Sequence, residues 1–241
     1  MESAGMSCDF VGHPVVSEPR ASATEAADFR AAHGIAPEAP LLLVLPGSRR
    51  SEVTRLAPVF GQAIAPLLNA HPDLAVVLPT VAHVAPLLPD LLADWPLQPV
   101  VLDPSGQSPE SVALQKRAAF GAADLALAAS GTVSLELAAS ATPMVIAYDM
   151  NRITWALMRR AALIDTVTLV NLVSETRAVP EFLGPACRPE AIGAALVDLA
   201  SNPAARGAQT EAMATTMERI GAGGEAPGLR AARSVLAAIR G

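Results

Sequence analysis

Ala128-Ala-Ser-Gly-Thr-Val-Ser-Leu-Glu136 is the stretch from which the rest of the chain can be read. The run from Leu125 to Ala129 is apolar throughout, as expected of a strand covered on both faces, and Val133, Leu137 and Ala138 then recur at helical spacing. Between them Ser130 stands where a helix N-cap would, and Gly131 has no side chain to keep a ligand from the backbone. A strand, a small-residue turn and a helix start bring unpaired N–H groups and the positive end of the helix dipole together, which makes an anion site. Glu136, expected on the second turn, is placed to accept hydrogen bonds from sugar or ribose hydroxyls beside it. Ser-Gly-Thr alone also fits an ordinary βα turn with no ligand, so the flanking chain must decide.

Upstream, Leu41-Leu-Leu-Val-Leu45 is a second continuous apolar run, followed by Pro46-Gly-Ser-Arg-Arg-Ser-Glu52. Open α/β sheets place ligands at such carboxyl ends of strands. Gly47 permits close backbone approach, Ser48 offers a hydroxyl, and Arg49 offers a fork for phosphate or carboxylate; Arg49 and Arg50 equally fit a solvated loop pair. Pro58 predicts a short turn at 51–56, with the main helix restarting there and the proline near its first position. Residues 74–78, 99–102 and 143–148 read as further strands, and 81–92 and 110–121 as helices, the first kinked by Pro86 and Pro89. Parallel strands need crossovers, and this alternation with helices predicts an α/β fold, a doubly wound, Rossmann-like parallel sheet. Neither a Gly-x-Gly-x-x-Gly run nor a phosphate loop with its lysine occurs.

Toward the amino end, Ser7 to Pro14 reads as a strand run ending in a turn. A Ser22/Glu25 capping box then opens a helix that ends at His33 and Gly34. Beyond Asp149, residues 151–163 set Ile153, Trp155, Leu157 and Met158 among Arg152, Arg159 and Arg160, which fits either an amphipathic core helix or a helix on an anionic membrane surface. Residues 168–173 read as a strand carrying Asn171 near its end, as a neutral donor and acceptor or as a turn residue, and Pro180 as a helix start. Helices at 189–201 and 203–220, a Gly-rich break at 221–224 and a helix at 229–240 complete the chain. Leu229, Ala232, Val235, Leu236 and Ile239 give that last helix an apolar side in need of a partner surface.

At 241 residues, with 51% apolar and 17% charged, the chain is long and apolar enough for a sizeable core. A net charge of −6 without a basic run argues against nucleic acid as a partner. Cys8, Cys187 and the four histidines share no metal-ligand spacing, which predicts a reduced, cytoplasmic compartment and no metal. No apolar run is long enough to span a bilayer, so membrane contact is expected to be peripheral.

Phe10-Val-Gly-His-Pro14, Leu45-Pro-Gly-Ser-Arg49 with Glu52, Ala129-Ser-Gly-Thr132 with Leu135-Glu136, Pro143-Met-Val145, Asn171-Leu172, and Val179-Pro-Glu181 with Cys187 and Pro189 come in an order and spacing that resembles the carboxyl half of lipid-A-disaccharide synthase. The resemblance covers nearly the whole chain and departs from the family at Asp149, where a basic residue is common, and at Val170, where proline is common.

The family implies the donor-binding domain of a GT-B glycosyltransferase, which transfers 2,3-diacylglucosamine from UDP-2,3-diacylglucosamine to 2,3-diacylglucosamine 1-phosphate at the cytoplasmic face of the inner membrane. It implies no cofactor, and with no Asp-x-Asp in the chain no metal ion is expected in the transfer. The donor contacts implied are Gly47, Ser48, Arg49, Glu52, Ser130, Gly131, Thr132, Glu136 and Asn171, with Arg49 and Asn171 in supporting catalytic roles. The expected organisation is a connector remnant at 1–20, the donor domain at 21–220, and a C-terminal helix at 221–241 directed toward an amino-terminal acceptor domain that would supply the general base. Transfer by this chain alone is not expected, and association through uncovered apolar surface, as a homodimer or at a membrane, is. The competing expectation is a module that binds a UDP-sugar without catalysis, or the donor domain of another GT-B enzyme.

Overall fold

The computed structural model describes residues 8–150 and 164–240, with isolated positions at 5, 155 and 160. The amphipathic segment at 151–163 therefore lies almost wholly outside the described residues. Six parallel strands form one sheet: β1 (Leu41–Leu45), β2 (Ala75–Pro79), β3 (Val100–Leu102), β4 (Leu125–Ala129), β5 (Met144–Tyr148) and β6 (Glu181–Leu183). Their spatial order is β3-β2-β1-β4-β5-β6, with β1 and β4 paired in the middle from Leu42↔Leu125 to Leu45↔Ala128. The order reverses between β1 and β4, so the crossovers leaving them run to opposite sides and open a crevice at their carboxyl ends.

The pleat explains why both central strands are apolar throughout. Leu41 and Leu43 face one helical layer, while Leu42 and Val44 face the other. The first layer contains α1 (Ala23–Ala32), α4 (Pro109–Ala122) and α5 (Val133–Ala139), together with α6 (Leu169–Ser174) and α8 (Pro203–Arg219). The second contains α2 (Arg50–Ala70), α3 (Leu88–Leu92) and α7 (Pro189–Ser201), with α2 packed along α7. The last helix, α9 (Pro227–Arg240), leaves Leu229, Val235, Leu236 and Ile239 exposed.

Several local expectations are corrected. Helix α2 runs unbroken from Arg50 through both Pro58 and Pro66. Both prolines, and the Thr54 and Gln62 positions whose carbonyls lose their partners, are exposed, so water solvates the freed groups. Buried Val53, Leu56, Phe60, Ile64 and Leu67 meanwhile hold the helix on the sheet.

Residues 169–174 form α6 rather than a strand. The Glu181 carboxylate gathers the segment before it, accepting from the Val167 and Thr168 N–H groups and the Thr166 hydroxyl. Pro180 precedes β6 and starts no helix, its carbonyl accepting from Ile146 N–H of the neighbouring strand. Residues 8–13 form no strand; Phe10 is exposed and its carbonyl accepts from Arg230 of α9. The segment read as one kinked helix at 81–92 is a 3-10 turn, Ala85–Leu87, followed by the short α3. The Ser22/Glu25 capping box of α1 is present in both directions.

Candidate functional site

At the β1/β4 switch point lies a cleft of about 770 Å³. Its walls are the loop at 47–52 on one side and the turn at 130–136 on the other, with Pro79 to Ala82 and Pro104 closing the β2 and β3 side. Of the nine residues expected to meet the donor, Gly47, Ser48, Arg49, Glu52, Ser130, Gly131, Thr132 and Glu136 all line it.

The two walls are built differently. In the 47–52 loop, Gly47 adopts φ +114°, and a Cβ there would lie 2.7 Å from Glu52 Oε2. The Glu52 carboxylate accepts from the Ser48 and Arg49 backbone N–H groups at 3.3 Å each and from the Arg49 guanidinium at 2.7 Å, with the Tyr148 hydroxyl at 3.5 Å. Glu52 is thus the internal counterion of this loop, taking the N–H groups of the two residues that precede α2. Arg49 is 78% exposed on its side chain, able to turn from Glu52 toward an anion in the cleft. Arg50 takes another course and donates to the His83 carbonyl at 3.2 Å, tying the loop to the chain after β2.

In the 130–136 turn the groups are open. A Cβ on Gly131 would meet nothing within 4 Å. Ser130 is not the N-cap: Thr132 holds that position, with no side-chain cap bond, while the Ser134 hydroxyl donates to the Gly131 carbonyl at 2.9 Å. No side chain caps the α5 start: Ser134 and Leu135 N–H donate to the Gly131 and Thr132 carbonyls, and Gly131, Thr132 and Val133 line the cleft. Because α5 starts at Val133, Glu136 falls in its first turn rather than its second. Leu137 and Ala138 are buried as expected, whereas Val133 is partly exposed as cleft wall.

Asn171 is not brought here. It is 1% exposed inside the α6 layer, where Oδ1 accepts from Val179 N–H at 2.9 Å and Nδ2 donates to the Val179 carbonyl at 2.8 Å. Its amide fastens α6 to the chain entering β6, a use that became possible because 169–174 is helical.

A cleft residue that the sequence reading missed is Lys116 of α4, ion-paired with Glu136 and 5.4 Å from the Phe120 ring centroid. Its one sequence signal was compositional, since it is the only lysine of 241 residues. Among the described residues no three His, Cys, Asp or Glu side chains group as a metal site, and no helix is long and apolar enough to cross a membrane.

Comparison with known proteins gives the fold and the family. A UDP-GlcNAc 2-epimerase from Neisseria meningitidis, in a structure bound to UDP-GlcNAc, aligns with a TM-score of 0.56 at 16% identity, covering 89% of this chain and 49% of that one. A glycosyltransferase involved in lipopolysaccharide biosynthesis aligns at 0.52 and 14% identity, over 90% and 51%. Those likenesses are of fold, the Rossmann-like sheet expected from the strand runs.

In sequence, the lipid-A-disaccharide synthase of Ruegeria pomeroyi is 59% identical over all 241 residues, and the chain spans 59% of that relative's length. The family model described as lipid-A-disaccharide synthetase matches residues 2–223, so the chain belongs to the lipid-A-disaccharide synthetase family.

Proposed function

We propose that this chain is the donor-binding part of a lipid-A-disaccharide synthase and holds UDP-2,3-diacylglucosamine in the cleft between β1 and β4. The single observation that carries the reading is the open turn at Gly131, where an uncapped helix start faces a cleft whose opposite wall supplies an exposed guanidinium, Arg49. The diphosphate lies against the N–H groups at 131–133 and Arg49, and Glu136 accepts from the ribose hydroxyls. As the glycosidic bond to UDP breaks, charge grows on the departing diphosphate, and these donors stabilise it without a metal ion. Asn171 has a structural part only.

The acceptor, 2,3-diacylglucosamine 1-phosphate, and the general base belong to the portion of the relatives that this chain does not span. The product is the β-1,6 disaccharide, formed by an enzyme lying peripherally on the cytoplasmic face of the inner membrane. In that enzyme the exposed apolar side of α9 is covered by the remaining portion or by a second copy.

Isothermal titration of UDP into the 241-residue chain tests the reading. Binding is expected for the unaltered chain and is expected to vanish in the double variant Glu136→Ala, Gly131→Val; unchanged binding in that variant would refute the site. Transfer reconstituted with an amino-terminal half is expected to survive a chelator.

A further inference from the structure

Lys116 stands apart in both composition and position. It is the one lysine among 17 basic residues, and its ammonium lies against Glu136, the cleft carboxylate expected to receive ribose hydroxyls. It reaches that carboxylate from α4, the neighbouring helix of the same layer that also lines the cleft, and the Phe120 ring lies 5.4 Å from it. The pair is half-open, with side-chain exposures of 46% for Lys116 and 28% for Glu136. Surface pairs of this kind add little to folding stability, so stability gives no account of its placement.

Electrostatics does. A carboxylate on a cleft wall repels an entering diphosphate, and over short distances in a cleft with apolar walls that repulsion is screened less than in open solvent. Across the cleft, Glu52 is offset by the loop's own N–H groups, which hold it when Arg49 turns to the diphosphate. Among the described residues the cation paired with Glu136 is Lys116, so this ammonium sets whether the 130–136 wall meets a dianion as a neutral or a negative surface. A compact ammonium, unlike a guanidinium fork, can offset the charge while leaving carboxylate lone pairs for hydroxyl donors.

We propose that Lys116 is a positioning residue of the donor cleft, which holds Glu136 toward the nucleotide and cancels its charge against the diphosphate. The inference rests on the donor-cleft reading above and adds a residue and a specificity to it. Lys116 makes the cleft prefer a nucleoside diphosphate over the bare nucleoside.

The test compares UDP with uridine on the full chain carrying Lys116→Met or Lys116→Arg. Lys116→Met is expected to weaken UDP about tenfold at low salt and uridine by no more than about threefold, with the UDP penalty shrinking as salt rises. Lys116→Arg keeps the charge but forks onto both carboxylate oxygens, so it is expected to retain UDP affinity better than Lys116→Met while falling short of the unaltered chain. Equal loss for UDP and uridine would make Lys116 merely structural and overturn the proposal.

A second measurement uses the lone lysine directly. Acetylation with an amine-reactive ester, read by peptide mass spectrometry, is expected to be slowed by UDP at Lys116 and unaffected at the α-amine. If Gly131→Val abolishes UDP binding while Lys116→Met leaves it within about twofold, the assignment of Lys116 falls and the cleft reading stands. If the unaltered chain binds no UDP, the cleft reading itself fails.

Discussion

The two walls of the cleft begin from the same plan, an apolar strand, a small-residue loop and a helix, yet they end in opposite states. At 47–52 a carboxylate three residues into the helix takes the Ser48 and Arg49 N–H groups and the Arg49 guanidinium, and the glycine is pressed against it. At 130–136 the glycine faces empty space and the helix start has no side-chain cap. A loop that meets its own needs is a rigid abutment, whereas one that does not is where a ligand gains most, because its donors are not withdrawn from another partner. Two glycines in matching positions therefore serve different ends, one for backbone conformation and one for room.

That contrast is open to direct attack. The largest effect is expected at Gly131. Gly131→Val should reduce UDP affinity about a hundredfold or more while leaving the urea midpoint almost unmoved, because a Cβ there meets no protein atom within 4 Å and the side chain extends into ligand space. A large loss of stability instead would mean that this turn is as internally packed as the other.

Gly47 should behave in reverse. Gly47→Ala is expected to destabilise the chain by about 1–3 kcal/mol in urea unfolding, since φ +114° and the closeness of Glu52 both oppose a Cβ. Its effect on UDP should follow only from the loop's displacement.

Asn171→Ala sharpens the boundary of the cleft. It leaves the buried Val179 N–H and carbonyl without partners and should cost about 1–3 kcal/mol of stability. UDP affinity in the folded variant should not change; a fall there would return Asn171 to the binding site.

The smallest effect concerns Cys187, in the layer behind the rigid wall. Burial chiefly, with the nearby Asp149 carboxylate, pushes its thiol from an ordinary 9.0 up to about 11. The folded chain then keeps a proton that the unfolded chain releases, so stability should decline as pH rises from about 9 to about 11. Urea midpoints at pH 8 and pH 10 check the sign, with Cys187→Ala showing a shallower decline. At pH 8 iodoacetamide should modify exposed Cys8 and spare Cys187, with or without UDP.

Much of this architecture could be read locally. Runs such as 41–45 and 125–129 are apolar at every position because helices cover both faces, and that requirement is written residue by residue. The loops that follow them fall at the carboxyl ends of strands by chain order alone, so eight of the nine expected donor contacts line one cleft. Local reading failed where the deciding partner lay elsewhere. Pro58 signals a helix break because its lost hydrogen bond is visible in sequence, whereas the packing of Phe60, Ile64 and Leu67 that outweighs it is not. Residues 168–173 form too short an apolar run for periodicity to separate helix from strand, and the Glu181 carboxylate that anchors the segment before α6 comes from more than ten residues on.

The sequence by itself therefore determined the parallel sheet, the two cleft loops and the family, all of which follow from patterns within a few residues. Tertiary structure alone decided that Arg50 ties its loop to the His83 carbonyl, that Asn171 is a fastener, and that Lys116 meets Glu136. These depend on where side chains far apart in sequence converge, and packing between layers, not local pattern, fixes that.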